Sequence, residues 1–273
     1  MLKDITLGQF FPGKSILHRA DPRIKIVSSL IYIIAVFMCS SIVAYAFLIA
    51  FTAVMIAFSG VPAKIILKGL KPLVFIIAFT TVYNVFFYNG STLLWDLKIV
   101  DIYLEGIIFA AVMALRIVCL LVGSGVLLTY TTSPIVLTDG IESLLNPLKK
   151  IKVPVHEFAM MMSIALRFIP TLVEETDKIM SAQKARGADF SSGGLIQRAK
   201  ALIPVLIPLF VSAFRRASDL AIAMECRCYR GGNGRTKMKK LKLNAGDILI
   251  LLVFILSCAA IVLINKLIPV YSI

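Results

Sequence analysis

Long apolar runs dominate the chain and predict membrane-spanning helices. The run 24–59 is almost wholly apolar and carries one charge, Lys25, near its start. About 20 apolar residues cross the hydrocarbon core of a bilayer, so this run predicts two spans with a turn at residues 39–41. Further apolar runs predict spans at about 70–88, 104–130 and 245–268. The pattern therefore predicts about five transmembrane helices.

Residues 131–244 have a different pattern, in which shorter apolar stretches are followed by polar ones. The apolar stretches 158–173 and 201–214 are short for spans; the first contains Arg167 and the second contains two prolines. We predict long helices whose apolar halves lie at or partly in the membrane and whose polar halves remain in the cytoplasm. In the alternative, both stretches cross the bilayer and the sidedness of the flanking segments is unchanged.

Capping residues set the expected limits of these helices. The Ser133-Pro134 pair joins a capping serine to a proline at the first helical position, and it predicts a short amphipathic helix to about residue 145. Two longer helices are expected at about 154–186 and 195–230. Glycine directly after a helix is a C-terminal cap signal. The glycines at these two ends are Gly187 and the pair Gly231-Gly232.

The distribution of positive charge predicts the orientation of the chain. Of the 29 lysines and arginines, five lie in residues 1–25, three in 60–71 and eighteen in 131–244. Cytoplasmic segments are enriched in Lys and Arg, so the N-terminus and segment 131–244 are predicted to be cytoplasmic and the C-terminus outside. The chain is 59% hydrophobic, more than a typical soluble domain, which indicates an integral membrane protein. We therefore read the net charge of +14 as a sign of sidedness, and no nucleic-acid partner is expected.

One short motif suggests nucleotide binding, but its context argues against it. The stretch GQFFPGKS (Gly8–Ser15) fits the phosphate-binding pattern G-x-x-x-x-G-K-[ST], which functions between a strand and a helix. Seven residues precede it, Pro22 would interrupt a helix that began there, and no αβ repeats follow. We interpret it as a cytoplasmic lead-in. Asp21-Pro22-Arg23 is expected to start the first membrane helix, with Asp21 as its N-cap.

No metal, cofactor or catalytic site is expected. Cys226 and Cys228 form an isolated C-x-C, and the two histidines, His18 and His156, are far from it in the sequence. Structural zinc sites use four ligands at recognisable spacing. Since no nucleophile–base set or pair of catalytic carboxylates stands out either, a membrane enzyme is disfavoured.

Arg116 is the charge predicted to lie deep inside a span. It stands about twelve residues into the run 104–130, roughly 18 Å from its start at 1.5 Å per residue. A charge at that depth is costly and usually faces a polar partner or a cavity. The favoured interpretation is an arginine that points into the helix bundle and binds backbone carbonyls; the alternative is a role in transport.

The two long helices are predicted to end in similar triplets. Each finishes with an arginine between two small residues, as Ala185-Arg186-Gly187 and as Cys226-Arg227-Cys228. An arginine near a helix C-terminus complements the helix dipole, so one such triplet would carry no further meaning. Two of them on paired helices suggest mechanical coupling to a partner. Small neighbours let the arginine enter a groove on that partner, where the guanidinium can bind a carboxylate through two parallel hydrogen bonds.

Several motifs resemble the transmembrane (T) component of energy-coupling factor (ECF) transporters. The opening stretch GQFFPGKSILHRADPRIK includes His18, Asp21, Pro22 and Arg23 and is most similar to the shared vitamin-type T component. The other matching stretches are TTSP (131–134), LRFIPTLVEE (166–175), AQKARG (182–187) and MECRCYRGG (224–232). The second triplet departs from the family pattern, since it has Cys-Arg-Cys in place of Ala-Arg-Gly, and its thiols introduce the prospect of redox sensitivity.

The resemblance implies a non-catalytic scaffold in a bacterial cell membrane. A T component links a substrate-binding membrane subunit, the S subunit, to two ABC-type ATPases, and it couples their ATP hydrolysis to uptake of vitamins or other micronutrients. Its coupling triplets occupy grooves on the ATPases, which by position implies Arg186 and Arg227 here. The alternative function is a self-contained secondary transporter or channel. Such proteins usually show inverted repeats and broken helices, which are not evident in the sequence.

Together these expectations describe an all-α membrane protein with about five transmembrane helices plus long cytoplasmic or interfacial coupling helices. Three parts are expected along the chain. They are a lead-in with four transmembrane helices (1–130), a cytoplasmic coupling-helix module (131–244) and the last transmembrane helix (245–273).

Overall fold

The structure, a computed structural model, describes residues 10–88, 92–97, 100–190, 194–231, 241 and 243–267. Gly8, Gly232 and residue 268, which belong to the sequence motifs and the last predicted span, lie outside the described residues. The chain divides into two compact units. We call the described residues of 8–141 and 241–273 the bundle unit, and those of 142–240 the long-helix unit.

Helices make up nearly all of the described chain. They are α1 (Ile16–Arg19), α2 (Pro22–Met38), α3 (Ile42–Ser59), α4 (Ala63–Leu70), α5 (Val74–Phe87), α6 (Leu104–Ser124), α7 (Pro134–Leu145), α8 (Val155–Ala185), α9 (Leu195–Cys226) and α10 (Ala245–Leu267). Two 3₁₀ segments (Lys71–Leu73 and Asn146–Ile151) and a π-helix (Gly125–Tyr130) join some of them. Between α5 and α6 an antiparallel hairpin pairs β1 (Leu93–Leu97) with β2 (Val100–Tyr103); the sequence pattern did not predict this hairpin.

The predicted start and end of the first membrane helix are confirmed. α2 ends at Met38 and α3 begins at Ile42, so the first apolar run is two helices with a turn between them. The Asp21 carboxylate accepts a hydrogen bond from the backbone N–H of Arg23 at 2.9 Å, and Pro22 occupies the first helical position. Local capping chemistry therefore sets this boundary as expected.

Two elements differ from their predicted form. The predicted span 70–88 corresponds to α5, which has 14 residues and follows α4 after a 3₁₀ turn. Pro72 lies in that turn, and because proline lacks a backbone donor it interrupts the α-helical ladder. The predicted span 104–130 is confirmed as a continuous helical stretch, but its last six residues form the π-helix.

Among the residues that the structure describes, five helical stretches can cross a membrane by length and composition: Ile42–Ser59, Ala63–Phe87, Leu104–Tyr130, Ile196–Cys226 and Ala245–Leu267. The number agrees with the prediction, but the membership differs. Most of α9 qualifies, although we expected its apolar half to lie at or partly in the membrane and its polar half in the cytoplasm. α2, which we expected to span, has 17 residues, at the lower limit for crossing a bilayer. The chain is a multi-pass, all-α membrane protein with one short hairpin.

The core of the bundle unit forms where α2 meets α3, α6 and α10. Tyr32 of α2 is 1% exposed, its hydroxyl donates to the Cys119 carbonyl at 2.9 Å, and it lies 2.8 Å from the Thr52 hydroxyl. A Cβ atom on Gly123 of α6 would stand 2.2 Å from the Tyr32 ring. This close approach requires glycine, and it fixes the position of α6 against α2.

Candidate functional site at the ends of the long helices

The first long helix ends in a closed cap that presents Arg186. The backbone N–H of Gly187 donates to the Lys184 carbonyl at 3.0 Å. The N–H of Ala188 donates to the Gln183 carbonyl, also at 3.0 Å. These two bonds define the Schellman motif, in which the residue after the cap is left-handed. Gly187 is that residue, with φ of +89°.

The second long helix ends in the same motif, around Arg227. The N–H of Cys228 donates to the Glu225 carbonyl at 2.8 Å, and the N–H of Tyr229 donates to the Met224 carbonyl at 3.0 Å. Cys228 is the left-handed residue, with φ of +56°. The two arginines have nearly the same backbone angles, −87° and 7° at the first cap and −90° and 14° at the second. The triplets found in the sequence are thus two copies of one backbone structure.

The end of α9 corrects one prediction. We expected the helix to reach Arg230 and to stop at the Gly231-Gly232 pair. It ends at Cys226 because Cys228 takes the left-handed conformation itself. Gly231 is also left-handed, with φ of +81°, and it therefore turns the chain beyond the helix. The predicted stop of α8 at Gly187 is confirmed.

Within the long-helix unit, α8 and α9 pack antiparallel. Near the end of α8, Gln183 Nε2 donates to the carbonyl of Pro204, near the start of α9, at 3.4 Å. Further back on α8, Glu175 Oε2 accepts from Arg216 Nη2, further along α9, at 2.9 Å. From the first contact to the second, the residue number falls in α8 and rises in α9, so the two helices run in opposite directions.

This packing places the two arginines at opposite ends of the pair. Met224, close to Arg227, lines a groove together with Ile164, near the start of α8. About 25 residues of α8 separate the level of Arg227 from Arg186, which at 1.5 Å per residue is roughly 38 Å. The two arginines therefore stand at opposite ends of the antiparallel pair.

Three polar side chains fasten α8 to α9 midway. Besides the Arg216 contact, the Ser212 hydroxyl donates to the Glu175 carboxylate. The Ser212 hydrogen bond and the Arg216 guanidinium hold the pKa of the Glu175 carboxyl below its usual value. The sequence placed Glu175 in the LRFIPTLVEE stretch, but it could not show which residues of α9 face it.

Apolar side chains cover much of the remaining surface of the pair. An apolar groove of about 250 Å³ lies between the helices. Large exposed residues of α9 include Leu206, Ile207, Phe210 and Phe214. Contiguous apolar surface of this kind marks contact with lipid or with another protein.

The triplets themselves are accessible. Arg186 and Arg227 are exposed, and so are the small residues beside them, Ala185, Gly187, Cys226 and Cys228. A guanidinium can bind a carboxylate with two parallel hydrogen bonds, and nothing bulky within the triplet blocks its approach. Cys226 and Cys228 are free thiols. Among the described residues, no group of three or more His, Cys, Asp or Glu side chains is placed to hold a metal ion.

The opening motif that resembles a phosphate-binding loop folds around His18. Ser15 caps α1, and its hydroxyl lies 2.7 Å from His18 Nδ1. His18 Nε2 donates to the Phe11 carbonyl at 2.8 Å. A Cβ atom on Gly13 would stand 2.6 Å from the imidazole, so the turn encloses this ring where a phosphate-binding loop would enclose phosphate. The helix that follows has four residues.

Other residues of the opening motif meet a buried acid that the sequence did not single out. Asp247, in the first turn of α10, is 4% exposed. Its Oδ1 accepts from the backbone N–H of Asp21 at 2.9 Å, and its Oδ2 accepts from the N–H of Asn244 at 2.9 Å. Arg23 Nε lies 4.0 Å from the Asp21 carboxylate. The sequence does contain a signal for Asp247, because a single acidic residue at the edge of an apolar span usually has a specific partner.

Arg116 points into the bundle unit and binds a backbone carbonyl, as the favoured interpretation expected. Its Nη2 donates to the Cys39 carbonyl at 2.9 Å, and its Nε donates to the Tyr45 hydroxyl at 2.8 Å. The guanidinium carbon also lies 5.6 Å from the centre of the Tyr45 ring. Cys39 is the C-cap of α2, so Arg116 satisfies a carbonyl at a helix end that would otherwise lack a partner.

Comparisons with known proteins cover nearly the whole chain. Residues 13–238 match the family model CbiQ, described as a cobalt transport protein. The chain is 56% identical over 250 residues to the "Energy-coupling factor transporter transmembrane protein EcfT" of Ruminiclostridium cellulolyticum, covering 92% of this chain and 93% of that protein. It is 56% identical over 265 residues to the protein of that name from Clostridium kluyveri (97% and 96% covered) and 47% identical over 247 residues to that of Bacillus subtilis (90% and 93% covered). The chain therefore belongs to the family of energy-coupling factor transporter transmembrane proteins.

Proposed function

We propose that this chain is the transmembrane scaffold subunit of an ECF-type ABC importer. The observation that carries the proposal is the matched pair of caps, which hold Arg186 and Arg227 in the same backbone structure at opposite ends of an antiparallel helix pair. Two equivalent and widely separated arginines suit two ATPase subunits, each of which receives one helix end in a groove. The names of the relatives support membership of such a transporter.

In this proposal the partner subunits, rather than this chain, hydrolyse ATP. The two ABC-type ATPases bind the triplets Ala185-Arg186-Gly187 and Cys226-Arg227-Cys228. A substrate-binding membrane subunit contacts the exposed apolar surface of α8 and α9. Rearrangement of the ATPase pair moves both helix ends, and the rigid pair passes that movement to the substrate subunit. The cargo is then a vitamin or another micronutrient held by that subunit.

The proposal also fixes the arrangement in the membrane. Segment 131–244 acts as the cytoplasmic coupling module between the transmembrane parts 1–130 and 245–273. The N-terminus lies in the cytoplasm and the C-terminus outside. The distribution of lysine and arginine supports this orientation.

Co-purification tests the scaffold function directly. The tagged chain is solubilised gently from native membranes, and the proteins that accompany it are identified. Two ABC ATPases and a small membrane protein should accompany the wild type, and the Arg186→Glu, Arg227→Glu double variant should lose the ATPases because charge reversal repels the groove carboxylates. Each single variant should lose about half of the ATPase signal, since two separate contacts hold the pair.

A matched control separates the triplets from general loss of positive charge. Arg198 is an exposed arginine of α9 outside the triplet, and Arg198→Glu should retain both ATPases. If the double variant also retains them, the arginines are not the contacts. If the wild type purifies alone and moves a solute in liposomes, the chain is a self-contained transporter, and Arg116 becomes the residue to study.

A further inference from the structure

Within the bundle unit, two connections join the membrane helices to the segments that lead to the long-helix unit. The chain passes from α6 into α7 through Thr131 and Thr132, and it enters α10 after Asn244. In the part of the chain that the structure describes, movement of the long helices reaches the membrane helices along the backbone through these two connections. The start of α2 binds both, the first through the Lys25 side chain and the second through the backbone N–H of Asp21.

Lys25 holds the first connection. It is 2% exposed, and its ammonium donates to the Thr131 carbonyl at 2.9 Å and to the Thr132 hydroxyl at 3.0 Å. A third bond, of 3.4 Å, goes to the His18 carbonyl. An ammonium has three donors, so every donor of this buried lysine has an acceptor. Because hydrogen bonds to a buried charge are among the strongest in proteins, the connection is firmly held.

The residues that Lys25 binds directly follow the π-helix. The hydroxyls of Thr131 and Thr132 both reach back to the Leu127 carbonyl, at 2.9 and 3.4 Å. π-helical turns are rare and occur frequently at functional sites. We call Lys25, Leu127, Thr131 and Thr132 the α2 latch, because together they fix this turn and its exit to the first turn of α2.

The second connection is bound to the same turn of α2. Asp247 accepts from the backbone N–H of Asp21, the N-cap of α2, and from the N–H of Asn244. The entry to α10 and the exit from α6 therefore share one anchoring point, the segment from Asp21 to Lys25.

We propose that Lys25 is a positioning residue for energy coupling. Through the α2 latch it keeps the exit of α6 fixed to α2, so that movement of the long helices is delivered to the membrane helices at this point. Without the latch, residues 124–134 would open locally whatever the position of the long helices, so movement of the long helices would no longer alter them. This inference rests on the scaffold function proposed above.

Hydrogen exchange in the purified complex tests the latch. The complex of the chain with its partner subunits is compared with and without a non-hydrolysable ATP analogue. In the wild type the analogue should change exchange in α8, in α9 and in residues 124–134. In Lys25→Met and Thr132→Val the change in α8 and α9 should persist, whereas the change in 124–134 should disappear. Basal exchange in 124–134 should rise roughly 10- to 100-fold, as expected when a hydrogen bond to a charged group is lost.

Matched variants distinguish the latch from general damage. Thr132→Ser keeps the hydroxyl and should behave as the wild type, and Lys64→Met removes an exposed lysine and should also be silent. Thr132→Val is nearly isosteric, so it decides the question alone if Lys25→Met fails to fold. In the Lys25→Met background, Thr132→Val should have a smaller effect than in the wild type, because the bond between these two side chains is already lost and only the 3.4 Å bond of the Thr132 hydroxyl to the Leu127 carbonyl is left to remove.

Two results would overturn the latch while leaving the scaffold function intact. One is an analogue effect on residues 124–134 that survives in Thr132→Val. The other is a wild-type effect confined to α8 and α9. If the analogue changes nothing in the wild-type long helices, or if no ATPase purifies with the chain, the scaffold function is wrong and the inference falls with it.

Discussion

At the scale of single residues, Gly187 and Cys228 occupy equivalent positions in the two caps but differ in how well they suit them. Both are left-handed. Glycine adopts that conformation without steric cost, whereas a residue with a Cβ atom pays about 1–2 kcal/mol. The second cap therefore holds Arg227 at a conformational cost that the first cap does not carry.

Replacing Cys228 with glycine should stabilise the end of α9 by about 1 kcal/mol, because it removes the contact of Cβ with the backbone. Gly187→Ala should destabilise the end of α8 by a similar amount. Amide exchange of residues 226–229 and 185–188 measures both effects. Cys226→Ala, at the last helical position, serves as the control and should change little. Unaltered exchange in Cys228→Gly would show that this cap is not strained.

Some of these single residues could be predicted and others could not. Asp21 as an N-cap and Gly187 as a C-cap follow from local backbone chemistry, which a short stretch of sequence contains. The end of α9 was placed four residues too late because the glycine rule favoured Gly231 over Cys228. Lys25 binds Thr131 and Thr132, and Asp247 binds Asp21, across more than 100 residues, so no local pattern identifies these contacts.

At the scale of elements, the proposed coupling unit is the antiparallel pair of α8 and α9 with the polar contact at its middle. Both helices contain proline within their length, Pro170 in α8 and Pro204 and Pro208 in α9. Proline removes hydrogen bonds from a helix and favours bending. The bonds of Glu175 to Ser212 and Arg216 join the two antiparallel helices between these prolines.

Glu175→Gln should lower the melting temperature of the chain at pH 7 by about a degree or two, since partly exposed ion pairs contribute little stability. The pKa of Glu175 is lowered in the folded chain. Its contribution is therefore present above the ordinary carboxyl pKa and is lost as the pH falls through the folded value. The difference between wild type and variant should accordingly shrink as the pH falls below the ordinary carboxyl pKa and disappear once the pH is below the folded value. Melting curves in detergent across this range measure it.

The control for this prediction is the neighbouring carboxylate. Glu174 is exposed, and Glu174→Gln should give a difference that is small at every pH. A pH dependence as large as that of Glu175→Gln would contradict the role given to the contact between α8 and α9.

Elements were predictable where apolar runs and capping residues determine them. The turn after α2, the long helices and α10 are examples. The π-helix and the pairing of α8 with α9 depend on which side chains meet in three dimensions, and these were not predictable. The assignment of α9 was ambiguous for a physical reason, since one face of it is as apolar as a span while its ends are charged.

At the scale of the whole molecule, the proposed orientation depends on the uneven distribution of positive charge. The free thiols offer a direct test of it. Cys39 and Cys119 are buried and Cys258 is partly buried, whereas Cys226 and Cys228 are exposed. A water-soluble thiol reagent will thus report mainly on the end of α9.

A membrane-impermeant maleimide should label the chain in inside-out vesicles and leave it unlabelled in intact cells, because the end of α9 is expected in the cytoplasm. The chain is expressed without partner subunits so that nothing shields the thiols. The Cys226→Ser, Cys228→Ser variant should lose most of the signal, which assigns it to this site. Strong labelling of intact cells would reverse the proposed orientation.

The identity of the two cap backbones has a consequence for selectivity. A partner that contacts only the arginine and the main chain would bind the ends of α8 and α9 equally well. Two different partners could then occupy the two ends in either order. Within the triplets, discrimination has to come from the flanking positions, which are Ala185 and Gly187 at one end and Cys226 and Cys228 at the other. Two thiols are thus the chemical label that would let non-identical partners recognise their own end and assemble in a single order.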